Sequence, residues 1–131
     1  MIQRAPSMLP ALLFLATASF LGACRGARVR ESHQVEPSEL CPSMLPASRW
    51  ESAPWEGGCP WFSFPEASVV EVPHGLGRPP AAVLVYLSFV PEGSQAVLAS
   101  GDMARVESVT SDTVTLSNAT EQPMYARIVL W

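Results

Sequence analysis

From Met124 to Trp131 the chain alternates, with Met124, Ala126, Ile128 and Leu130 on one side of an extended backbone and Tyr125, Arg127, Val129 and Trp131 on the other. Successive side chains of a strand point to opposite faces, so a period of two predicts a strand with one face buried. Upstream, Thr113-Val114-Thr115-Leu116-Ser117 sets Val114 and Leu116 against a row of hydroxyls, as a half-buried strand requires. Arg105–Thr110 is less regular, because Val106 and Val109 fall on opposite faces. That predicts a bulge or a strand end. Ser111-Asp112 and Asn118–Pro123 are the turns between these segments, and connections so short pair strands antiparallel.

The same character begins at Ala67. Ser68–Val72 is a β-branched stretch, and Ala81–Val90 is a nearly continuous apolar run bounded by Pro79-Pro80 and by Pro91-Glu92-Gly93. Its length and flanks predict a buried central strand rather than a helix. Leu40–Pro65 is rich in Pro, Gly and Trp and reads as an irregular cap, with one helical turn near Ser43–Ser48. Residues 25–39 are polar and charged and read as a flexible tether. The expected fold is all-β: a small antiparallel β-sandwich, or a partly closed barrel, over residues 67–131, with residues 40–66 plugging an open end or edge.

The three cysteines divide into one and two. An apolar run from about Met8 follows a leader carrying Arg4 and ends at Leu21-Gly22-Ala23-Cys24. The run is too short to span a bilayer, contains Pro10 and leads into Arg25, Arg28 and Arg30. A secretory signal fits it better. Leu-Gly-Ala-Cys resembles the lipobox of bacterial lipoprotein precursors. The resemblance implies that residues 1–23 are a signal peptide, that Cys24 becomes the lipidated N-terminus, and that the membrane is a partner through that anchor. Arg25 stands where an inner-membrane retention signal would carry Asp, so the outer membrane is favoured in a Gram-negative envelope. Cys41 and Cys59 remain, an even number in an oxidising compartment, and predict a disulfide around a loop with no regular pattern of its own. A loop of about 15 residues gives about 3 kcal/mol on the chain-entropy scale.

Charge narrows the partners. All eight cationic residues are arginines, and residues 31–131 hold four of them against twelve acids, a balance of −8. Such a domain lacks the basic patch that neutralises phosphates, which sets nucleic acid aside.

Val70-Glu71-Val72-Pro73-His74-Gly75-Leu76-Gly77-Arg78-Pro79-Pro80 is the most distinctive internal motif. It resembles the strand, His-x-Leu-Gly turn, Pro and strand of small β-sandwich modules such as phage tail-fibre tips and related adhesins. In those modules the motif forms the fold, so His74, Gly75, Leu76, Gly77 and Pro80 are expected to build a turn. A metal role for His74 lacks clustered partners, His33 being the other histidine. Trp50, Trp55 and Trp61 offer a stacking platform for a glycan or a protein; the competing reading makes them the apolar plug of the sandwich. Arg127 and Arg78 are expected to meet surface acids.

No nucleophile–base pair and no Gly-x-Ser-x-Gly elbow stand in the sequence, so no catalytic residue, no metal site and no cofactor are assigned. The expectation is a non-catalytic, envelope-displayed binding module that uses Glu92–Gly101, Asn118–Pro123 and the Trp-rich cap to hold an envelope protein or a glycan. The rival expectation is an assembly subunit whose exposed edge, at Ala81–Val90 or Met124–Trp131, pairs with a partner strand.

Overall fold

The computed structural model describes residues 30–131. The expected signal segment, 1–23, and the expected lipidation residue, Cys24, lie outside the described residues. In chain order the strands are β1 (Glu31–Gln34), β2 (Ser43–Leu45), β3 (Arg49–Glu51), β4 (Phe62–Phe64), β5 (Ser68–Pro73), β6 (Val83–Ser88), β7 (Val97–Leu98), β8 (Arg105–Val109), β9 (Thr113–Asn118) and β10 (Met124–Leu130). They form two packed sheets and no closed barrel. The first runs β1-β5-β9-β8; the second runs β2-β3-β10-β6-β7, with β4 also on β10.

The two alternating segments define the core. Val70 and Val72 of β5 and Val114 and Leu116 of β9 meet Ala126, Ile128 and Leu130 of β10, Leu87 of β6 and Phe64 of β4, all essentially inaccessible to water. Burying each large aliphatic or aromatic side chain contributes about 1.5–3 kcal/mol. β10 is the hub of the second sheet. β6 lies along one of its edges from Tyr125 to Leu130, while β4 and β3 share the other, at Met124–Ala126 and Val129–Leu130.

The irregularity expected before the last hairpin is a register shift between Val106 and Ser108, where β8 pairs with β9. The turn motif is built as its glycines require: Gly75 and Gly77 have φ of +60° and +67°, a region that side chains disfavour. It docks on the β8–β9 turn, where the Asp112 carbonyl accepts from the backbone N–H of His74 at 2.7 Å and of Gly75 at 3.2 Å.

Two expectations are corrected. Residues 31–39 are not a tether. β1 pairs with β5, Val35 donates its N–H to the Glu71 carbonyl at 2.9 Å, and Val35 and Leu40 enter the core. Val35 is a single apolar residue among polar neighbours, which is why composition alone hid the strand. Every strand pair within residues 67–131 is antiparallel, as expected; β1, upstream of them, adds a parallel pair with β5, because the long excursion from Gln34 to Ser68 gives the chain room to return in the same direction. The cap is less irregular than its composition suggests, because β2, β3 and β4 all join the second sheet. At the expected helical turn, β2 is followed by a short 3-10 segment, Pro46–Ser48.

The Cys41–Cys59 disulfide is present, with Cα atoms 6.3 Å apart. The cap, residues 40–66, takes the second of its two expected placements, an edge: its strands β3 and β4 pair along one side of β10. Glu51 and Ser52 follow β10, with the Ser52 N–H bonded to the Ile128 carbonyl at 3.0 Å, and the chain then turns so that Pro54, Trp55 and Glu56 border the outer face of the second sheet.

Candidate functional site

On that outer face, the row expected to point away from the core carries Arg127 and Val129 on β10, Leu84 and Tyr86 on β6, and Glu51 on β3. With Leu45, Arg49, Pro54, Trp55, Glu56 and Trp131 they line a groove of about 540 Å³. Arg127 is its floor. The guanidinium carbon lies 4.3 Å from the Trp55 ring centroid and 5.6 Å from that of Tyr86, a cation–π arrangement that a planar guanidinium suits. Nε donates to the Ala53 carbonyl at 2.6 Å, and Nη2 donates to Oε2 of Glu51. Glu51 is fixed from its other side by the Ser43 hydroxyl, 2.5 Å from Oε1.

The third guanidinium nitrogen, Nη1, is shut off from solvent and has no hydrogen-bond partner among the described residues. Leaving such a donor unmade costs about 1–3 kcal/mol, more for a charged group. Trp55 lies across this group. Its ring meets Tyr86 edge-on at 4.8 Å and Trp61 at 5.5 Å, yet the side chain remains 51% exposed.

The three tryptophans therefore part company. Trp50 and Trp61 are buried, 5% and 3% exposed, which fits the apolar reading and removes them as binding residues. Trp50 packs edge-on against His74 at 6.2 Å. Trp61 seats the Pro91–Gly93 turn, its backbone N–H bonded to the Pro91 carbonyl at 2.7 Å, and a Cβ on Gly93 would collide with the Trp61 ring. Trp55 alone of the three faces outward. Arg127 is a further correction. It is not a surface cation meeting surface acids but a fully buried one. The alternation put Arg127 on the outward side; nothing local in sequence showed that a loop some 70 residues earlier would cover it.

The turn motif stands apart from the groove. His74 accepts the Leu76 N–H at Nδ1, 3.1 Å away, and is nearly buried. Burial lowers its pKa below 6.5, against smaller opposing effects from backbone bonds at Thr110 and Thr113 and the charge of Asp112. A neutral imidazole tied to its own turn fits the fold-forming role. Among the described residues, no group of three or more His, Cys, Asp and Glu side chains is placed to hold a metal.

The loops expected to bind differ in character. Asn118 is buried and organises its own turn: its side-chain nitrogen donates to the Pro65 and Gln122 carbonyls at 3.0 and 2.8 Å, and its oxygen accepts from the Thr120 N–H and hydroxyl at 2.9 and 2.7 Å. Near the other loop, Phe89, Val97 and Leu98 are exposed. Leu98 pairs across from Tyr86, on the groove's own face.

The chain matches no protein-family model, no curated protein and no solved structure.

Proposed function

We propose that this chain is an exported, lipid-anchored envelope protein acting as a non-catalytic recognition module, with its binding face on the outer side of the second sheet. The observation that carries the reading is the groove over Arg127, lined by Trp55, Tyr86 and Trp131, with an unpartnered, covered cationic donor on the guanidinium at its floor. Concave sites that combine apolar walls with a few fixed polar groups are the usual form of a ligand pocket. The guanidinium is held in place by its bonds to Glu51 and Ala53, as a fixed binding group requires. Anchoring rests on Leu21-Gly22-Ala23-Cys24 and supports display at the envelope surface, with the outer membrane favoured in a Gram-negative host.

The assembly role finds less support. β6 and β10, the proposed pairing edges, are both flanked on either side within the second sheet. The edge strand β8 is broken by a register shift and carries Arg105 and Glu107, devices that discourage pairing with a foreign strand.

Two measurements test the reading. Cys24→Ser should release the protein from membranes or leave an uncut precursor; mass spectrometry of mature protein with an unmodified, internal Cys24 would refute the anchor. A photo-crosslinking residue at Trp55 should capture envelope material from intact cells, and one at Thr115, on the opposite outer face, should not. Equal capture at both positions would refute the binding face.

A further inference from the structure

We infer that the groove is a saccharide site, selective for uncharged sugar rings. This assignment rests on the recognition role proposed above and names its ligand class. Four charged side chains line the groove, Arg49 and Arg127 against Glu51 and Glu56. They cancel, and the surrounding domain is acidic. An anionic ligand therefore gains no net attraction and meets two carboxylates. A cation loses the competition for those carboxylates to the arginines already present, one of which is buried against Glu51.

What remains is a ligand that donates and accepts hydrogen bonds without charge and also presents an apolar surface. A pyranose does both: its ring faces expose C–H groups, and its rim carries hydroxyls, each a donor and an acceptor. Trp55, Tyr86 and Trp131 supply the aromatic walls, with Trp55 and Trp131 exposed. Arg127 supplies the missing donor. A hydroxyl oxygen beside Nη1 would complete the guanidinium's hydrogen bonding, and the same hydroxyl could donate onward to a carboxylate oxygen of the groove. Because Nη1 is covered, the ring of Trp55 must turn aside for the ligand to reach it. Trp55 sits on an exposed segment between Pro54 and Gly58, and its ring contacts to Tyr86 and Trp61 are edge-on.

The test uses the purified full chain in a detergent without a sugar headgroup, titrated with neutral hexose and N-acetylhexosamine oligosaccharides and with uronic-acid counterparts of the same length. Tryptophan fluorescence and ligand-detected NMR report binding. At least one neutral oligosaccharide should bind, at least tenfold tighter than its acidic counterpart. Trp55→Ala should weaken that binding at least tenfold in a protein whose far-ultraviolet circular dichroism shows the fold retained. Arg127→Lys, which keeps a cation toward Glu51 but removes Nη1, should do the same; if that variant fails to fold, Tyr86→Phe and Tyr86→Ala give the readout, with loss expected only for Ala. Preference for the acidic series overturns the ligand class. Binding that survives Trp55→Ala and Tyr86→Ala overturns the site, and no binding by any saccharide overturns the inference. Crosslinked capture of a protein from position 55 in that last case leaves the recognition role standing.

Discussion

The two outer faces of the sandwich solve the same problem in opposite ways. On the first sheet, β9 presents Thr113, Thr115 and Ser117, joined by hydroxyl bonds such as Ser108 to Thr115 at 3.0 Å and Thr110 with Thr113 at 3.1 Å. Ser117 also donates to Glu107. Such a surface is satisfied within itself and by water. On the second sheet the corresponding row carries Leu84, Tyr86, Arg127 and Val129, which water covers poorly. There the chain lays its own disulfide-closed segment along the face, and Arg127 is buried as a result. Alternation decides which side of a strand faces outward; the chemistry of that side decides whether another part of the chain must cover it.

The contrast is broken most directly at Arg127. Arg127→Met leaves the Glu51 carboxylate buried and unpaired, and the expected loss is about 3–5 kcal/mol in urea unfolding. Adding Glu51→Leu should recover much of it, because well-packed apolar pairs often match buried ion pairs. A loss near zero for the single variant would mean that Arg127 is solvated like a surface cation.

Next is the staple. Cys41→Ser with Cys59→Ser should cost about 3 kcal/mol on the loop-entropy scale. The damage should be uneven, with hydrogen-exchange protection falling around Ser52 and Ile128 and persisting in β5 and β9. Uniform loss across both sheets would show that the covered face is no separate device.

A smaller effect belongs to the open sheet. Gly77→Val introduces a β-branched side chain at φ +67° with no neighbouring atom for its Cβ to strike, so backbone strain alone should cost about 1–3 kcal/mol. Gly77→Asn should cost far less, since Asn tolerates this region. Equal losses for both would point to packing instead of backbone conformation.

The pH dependence of His74 should be the mildest of the four. Its folded pKa lies below the unfolded value of 6.5, because burial disfavours the imidazolium. The unfolded chain then binds the proton more readily, so the stabilising contribution is fully present above pH 6.5 and is lost as pH falls through the folded value. His74→Asn should flatten the fall in melting temperature between pH 7 and pH 5. An unchanged slope would place the acid sensitivity elsewhere.

Much of the scaffold was legible in the residues. The period of two at Thr113–Ser117 and Met124–Trp131, the bounded apolar run at Ala81–Val90, the even pair of cysteines and the glycines at 75 and 77 all report local preferences or simple constraints, and each led to the element now seen. β1 was not legible, because its pairing with β5 is made by backbone groups that no side-chain pattern advertises. The short strands β2 and β3 were hidden among prolines for the same reason.

By itself, the sequence determined an all-β chain, the strands that supply its core, the positive-φ turn after β5 and the covalent staple. Those features follow from side-chain alternation, backbone sterics and thiol chemistry over a few residues. Only the tertiary structure decided that Trp50 and Trp61 enter the interior while Trp55 stays outside, and that Arg127 meets Glu51 and Ala53 beneath it. Burial of a charge depends on what the rest of the chain brings to its uncovered side, and the charge partner here, Glu51, lies 76 residues away along the sequence.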